Sequence, residues 1–234
     1  MYPPPYNSAT VQQQVATRVS QAMKRVFLKM TLALLVTAFV SMWGATSHTY
    51  LSFIATHSWS IWALIIAEFA ILFGVNGAMR RMSSSLASGL FYLFAVINGL
   101  LMAPIFLIYT ETSIAKTFFI TAGTFGAMAV YGYFTNRDLS RIGNILSMAL
   151  WGLIIAIVVN LFMHSSQLDW IISILGVVIF TGLTAWDTQQ IKNMALMMPE
   201  SKSGHLATMG ALMLYLDFVN LFLYLLRFFG NSRD

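Results

Sequence analysis

Seven long apolar stretches alternate with short polar connections along this chain. They run from about Val26 to Ala45, Ile61 to Met79, Leu86 to Tyr109, Ile114 to Phe134, Ile145 to Met163, Trp170 to Asp187 or slightly beyond, and Met209 to Phe229. A helix needs roughly 17 to 25 mainly apolar residues to cross a bilayer. The pattern therefore predicts an all-α, polytopic membrane protein: a bundle of seven transmembrane helices. Because the connections are short, residues 26–230 read as a single transmembrane domain. Residues 1–25 read as a short cytoplasmic N-terminal tail and residues 231–234 as a C-terminal tail. Small residues within the spans, including Gly123, Gly126, Gly176 and Gly182, suit close helix approach in lipid. Asn98 with Pro104, and Asn160, read as packing or kink features.

Composition strengthens this reading. Of 234 residues, 58% are hydrophobic and only 9% charged, whereas a soluble domain carries about 25% charged residues to face water. The start of the chain, Met1 to Ser8, is proline-rich and uncharged, unlike the basic beginning of a cleaved signal peptide. The first apolar run is therefore expected to remain as a span. There is no cysteine, which excludes disulfides, thiolate metal sites and a cysteine nucleophile. His48, His57, His164 and His205 fall in loops or at span ends without metal-ligand spacing.

The net charge of +5 comes from 13 Lys and Arg against 8 Asp and Glu. These basic residues flank apolar runs, which is a topology signal rather than a nucleic-acid-binding one. Arg18, Lys24, Arg25, Lys29, Arg80, Arg81, Arg137, Arg141, Lys192 and Lys202 all fall on one side. Lys116, Arg227 and Arg233 fall on the other. Basic loops stay in the cytoplasm, so the N-terminus is expected inside and the C-terminus outside. A re-entrant last helix would bring Arg227 and Arg233 inside as well, but about 21 largely apolar residues are long enough to span.

Ionisable groups within spans cost at least ~2.5 to 3.5 kcal/mol on insertion scales, so each needs a reason. Three stand out: Glu68 in span two, Asp187 at the inner end of span six, and Asp217 in span seven. On a helical wheel Gly210, Met213, Asn220, Tyr224 and Arg227 share an arc of about 100° with Asp217. One such stripe on a greasy helix should face the protein interior or a wet cavity. Asp217 lies ~12 Å into its span, and Asp187 ~8 Å from the end of its helix if that helix continues through Lys192. The two carboxyls can therefore meet at similar depth, with Arg80 or Arg81 long enough to snorkel toward them. Nearer the outer side, Glu68 and Arg227 are candidates for a second pair. Each of these charges also has a purely structural reading, as a cap, an interfacial group or a lock within the bundle.

Two segments carry a resemblance. TGLTAWDTQQIK from Thr181 to Lys192, followed by GALMLYLDFVNLFLYLLRFFG from Gly210 to Gly230, resembles the signature of the Bax inhibitor-1 (TMBIM) family. The span pattern agrees from about residue 20 onward, and the short loops look like those of a bacterial member. The resemblance implies a seven-helix fold with the last helix at the centre, surrounded by the other six. It implies a pH-sensitive calcium leak across membranes, and in eukaryotic members suppression of cell death. Asp187 and Asp217 match the family's pair of aspartates, thought to sense pH and control a pore. Arg80 or Arg81 matches the arginine that latches onto the pair, and Glu68 and Arg227 match further charges. Trp186 departs from the pattern, standing where tyrosine is common.

The expected function is thus a pH-sensitive cation (calcium) leak channel in the bacterial plasma (inner) membrane, with no enzyme activity and no cofactor. Calcium would be the permeant ion, making transient contacts at Asp187 and Asp217. The expected partners are the lipid bilayer and other membrane proteins or a membrane protease, with no nucleic acid. One alternative is a membrane-embedded regulator that binds other membrane proteins or a quality-control protease without transporting anything. A lesser alternative is an intramembrane aspartyl protease, in which paired aspartates activate water. Those enzymes carry Gly-x-Gly-Asp at the second aspartate, whereas here Leu214, Tyr215 and Leu216 precede Asp217. His-Glu-x-x-His, the zinc-protease motif, does not occur.

Overall fold

The computed structural model describes residues 8–81 and 84–231, with the side chains of residues 8–11, 76, 78–81 and 200 outside the description. The described residues are almost entirely helical. Helix α1 covers Ser8–Thr46, α2 His48–Thr56, α3 Trp59–Arg81, α4 Ser84–Met102, α5 Ile105–Ile108 and α6 Glu111–Phe134. Helix α7 covers Ser140–Met163, α8 Ser166–Met197 and α9 Ser203–Phe229, with one 3-10 turn over Glu200–Lys202. Six of these units are long and apolar enough to cross a membrane: α1, α4 with α5, and α6 to α9. Helix α2 and the described part of α3 pass the same test together, bent by 103° at their junction. Counted as one span, the bent pair brings the total to seven, and α3 coincides with the predicted second span.

Local chemistry explains the breaks. Pro104 interrupts the third span between α4 and α5, as its missing N–H and fixed φ require. Thr110 starts α6 by accepting a hydrogen bond from the Ser113 N–H, and Ser165 starts α8 by accepting one from Leu168. His164 turns the chain between α7 and α8 at φ 50°, in the left-handed region. The Asn160 side-chain oxygen accepts the Ser165 N–H at 3.0 Å, so this asparagine closes the end of α7.

Two helices run further than hydropathy indicates. Helix α1 begins at Ser8, inside the segment read as a tail, and buries Val19, Ala22 and Met23 before the apolar run starts. Helix α8 continues ten residues past Asp187, to Met197. Asp187 therefore lies ~15 Å from that end, and Asp217 lies ~21 Å from the start of α9. Both carboxyls therefore sit further from their helix ends than sequence spacing suggested.

Helix α9 is the centre of the bundle. It packs against α1, α4, α6 and α8, while α3 packs chiefly on α4 and α7 chiefly on α8. The last helix is thus central, as the resemblance implied, but its main shell is four helices, with α3 and α7 outside. Some 67% of the most apolar window of α9 is buried, against 11% for α7. Such burial is what a helix apolar on nearly every side demands. Tyr215, Leu214, Leu221 and Ala211 are fully enclosed, and Phe91 and Phe94 of α4 meet Tyr215 edge-on.

Close approaches fall at glycines, though only partly at those expected. A side chain at Gly176 would meet the Tyr224 ring, and one at Gly182 would meet Leu146. Gly123 and Gly126 instead face open space. The tightest contact is at Gly132, where a built Cβ would overlap the Ala185 carbonyl, so α6 touches the backbone of α8 there.

Candidate functional site

Four members of the polar stripe of α9, Gly210, Asp217, Tyr224 and Arg227, meet α8. Gly210 sits against Ile191, and Asp217 faces Asp187. Tyr224 fills the notch left by Gly176 and stacks on Phe180 at 5.8 Å, and Arg227 reaches Asp169 at 3.4 Å. Antiparallel pairing of the two helices produces this register. The stripe faces the protein interior, one of the two placements the wheel allowed.

Asp187 and Asp217 are 8% and 4% exposed, and their carboxyl groups lie within hydrogen-bonding distance of each other. One oxygen of each, Oδ1 of Asp187 and Oδ2 of Asp217, has no hydrogen-bond partner among the described residues. Nearby hydroxyls do not supply one. Thr184 and Thr188 donate to carbonyls of their own helix, at Phe180 and Thr184. Just beyond the pair, α8 is tied to the connection between α6 and α7. Gln189 accepts from the Leu139 N–H at 2.9 Å and donates to the Arg137 carbonyl at 2.8 Å. Lys192 donates to the Tyr133 carbonyl at 2.7 Å and lies over the Tyr133 ring. These ties fix the rotation of α8 and hence the direction of Asp187.

The family model described as "Inhibitor of apoptosis-promoting Bax1" matches residues 19–234. The chain belongs to the Bax inhibitor-1 family. It is 44% identical to the inner membrane protein YbhL of Escherichia coli over 214 residues, 90% of this chain and 92% of that one. An uncharacterized protein of Borreliella burgdorferi is also 44% identical, over 96% of this chain and 98% of its own length. A third relative, from Deinococcus radiodurans, is 37% identical over 97% of this chain and 96% of its own.

Within this Bax inhibitor-1 family fold the other expected charges are arranged differently. Glu68 and Arg227 do not meet. Glu68 on α3 accepts a hydrogen bond from the Asn98 amide nitrogen on α4 at 2.5 Å, while the Asn98 Oδ1 is buried without a partner among the described residues. Arg227 takes Asp169, in the first turn of α8, because the antiparallel register puts the two helix ends side by side. Each charge also suits the helix terminus it occupies, an acid at a start and a base at an end. Both partners are about half exposed, at 51% and 52%, and such pairs contribute about 0–1 kcal/mol. Arg227→Ala is accordingly expected to cost no more than ~1 kcal/mol. Thermal unfolding in detergent measures it, and a much larger loss would give Arg227 a second role. Arg80 and Arg81 close α3, but their side chains lie outside the described residues.

Sequence reasoning missed a second polar cluster. The Lys29 ammonium donates to Ser88 at 2.5 Å and to Thr208 at 2.7 Å, and the two hydroxyls meet at 2.9 Å. The cluster joins α1, α4 and α9. Lys29 counted only as a flanking charge in the sequence, and its partners lie 59 and 179 residues away. Similarly, the Thr37 hydroxyl donates to the Ala95 carbonyl and sits 2.7 Å from the Tyr215 hydroxyl. No group of three or more metal-ligating side chains occurs among the described residues.

Proposed function

We propose that this membrane protein is a pH-sensitive cation leak pathway, with calcium as the permeant ion and the Asp187–Asp217 pair as its gate. The observation that carries this reading is the pair itself: two buried carboxyls on adjacent helices, in hydrogen-bonding reach, each with an unpartnered oxygen. A hydrogen bond between carboxyl groups needs one proton held between them. Removing that proton leaves two negative charges facing each other away from water, which separates the helices or draws in a cation. Protons and cations therefore compete for the pair, and cation occupancy rises with pH. Calcium takes six to eight oxygen ligands, more than two carboxyls offer, so contact at the pair is transient.

Arg80 or Arg81, at the end of α3, is the latch that the family resemblance assigns to the pair. The name of the Escherichia coli relative supports an inner-membrane location. The clustering of Lys and Arg on one side supports a cytoplasmic N-terminus and a periplasmic C-terminus. Against a proteolytic role, fully buried Leu214 and Tyr215 occupy the space before Asp217, where a substrate backbone would have to enter.

Reconstitution into liposomes with an enclosed calcium reporter tests the proposal. Calcium is expected to leak through the purified protein at a rate that changes between pH ~5 and ~8. A bilayer no leakier than protein-free vesicles at every pH would favour a regulator that acts only with a partner.

A further inference from the structure

Helices α1 and α6 both pack on α9 but stand apart from each other, leaving a lateral gap toward the membrane. Toward the N-terminal end of α1 the gap holds a cavity of about 630 Å³. Its walls are apolar at depth, with Phe27 of α1 and Gly126 and Ala129 of α6, and polar at the rim, with Ser20, Lys24 and Tyr133. Gly126 makes the room, since a side chain built there meets no atom within 4 Å. In the bilayer core such a gap is filled by hydrocarbon, because water is absent there. From Phe134 at the rim to Phe125 at the floor is nine residues, ~13 Å, a depth suited to an extended acyl chain.

The rim is cationic. Lys24 is exposed and has no hydrogen bond or ion pair among the described residues. Lys192 of α8 touches the rim residue Tyr133, through its carbonyl and ring, and meets no carboxylate among the described residues. Basic pockets between transmembrane helices favour anionic headgroups. A headgroup bearing its own ammonium would instead set a third cation against the two lysines.

We propose that this groove binds one anionic phospholipid from the leaflet on the N-terminal side of α1. Its phosphate lies at Lys24 and Lys192, and one chain lies along Phe27, Gly126 and Ala129. The site is separate from the aspartate pair, and the inference holds whether or not the protein conducts ions.

Native mass spectrometry of the full-length protein in detergent, titrated with phosphatidylglycerol or phosphatidylethanolamine, tests it. The wild type is expected to take up one phosphatidylglycerol in preference to phosphatidylethanolamine. Lys24→Ala should weaken phosphatidylglycerol about five-fold, the effect of one basic residue near a headgroup, and leave phosphatidylethanolamine unchanged. Gly126→Phe should abolish the first binding event for both lipids, with Gly126→Leu as the milder filling variant if the phenylalanine impairs folding. Gly152→Phe, at an equally open position on α7, should change nothing. Equal binding of the two lipids, or full binding after the groove is filled, overturns the proposal. So does a wild-type dimer that Gly126→Phe dissociates, which would make a second copy of the chain the occupant.

Discussion

Gly132→Leu is expected to prevent the bundle from closing. The α-carbon of Gly132 lies so near the Ala185 carbonyl that even a methyl group would overlap backbone. Backbone cannot swing aside as a flexible side chain can, so α6 must move away from α8. Insertion of side-chain volume into a packed core typically costs 1–3 kcal/mol and occasionally more. Leucine against a helix backbone belongs at or above the top of that range. The displaced contact also lies two residues before Asp187, so the aspartate pair should lose its alignment too. Gly132→Ala should retain a folded fraction with a clearly lowered thermal midpoint, and Gly132→Leu should yield little monodisperse protein. Gly126→Leu, six residues away and facing open space, serves as the control. Equal yield and midpoint for Gly132→Leu and wild type would show that α6 and α8 are not packed at this distance.

Asp187→Asn and Asp217→Asn are each expected to flatten the pH dependence of calcium leak. Either change removes the shared proton and the mutual repulsion while nearly preserving shape. The deprotonated wild-type pair presents two charges to a cation, so the difference between wild type and variants should be largest at the alkaline end. The double variant should add little to either single one, because groups acting as a unit are not additive. Flux measured at several pH values checks this. Single variants that both keep the wild-type profile would remove the pair as the gate.

The spans were legible because hydropathy measures what the bilayer selects, and the stripe on α9 was legible because a lone polar face must point inward. Asp187 and Asp217 follow from that logic once two adjacent antiparallel spans carry acids at similar depth. Hydropathy did not show that α8 runs to Met197, since residues 188–197 mix polar and apolar side chains beyond the span proper. Nor did it give Arg227 its partner: Asp169 lies in the first turn of α8, where a charge attracts no notice. Glycine identity alone could not separate Gly132, which touches backbone, from Gly126, which touches nothing. That difference depends on which face each residue presents, and α6 is apolar enough on all sides to conceal it. The Lys29 cluster was hidden for another reason, as its three residues come from helices far apart in the chain.

The seating of Tyr224 in the notch at Gly176 limits how the molecule can move. An axial slide of α9 by one helical turn, ~5.4 Å, would carry that ring off the only side-chain-free position in its path. Ile172 and Phe180, one turn to either side on α8, are both buried and have no room to receive it. The same slide would pull Gly210 off Ile191 and part Arg227 from Asp169. Helix α9 thus works as a fixed axle and not as a piston. The outer helices α3 and α7 pack on α4 and α8 and not chiefly on α9, so a tilt of either would leave that axle in place.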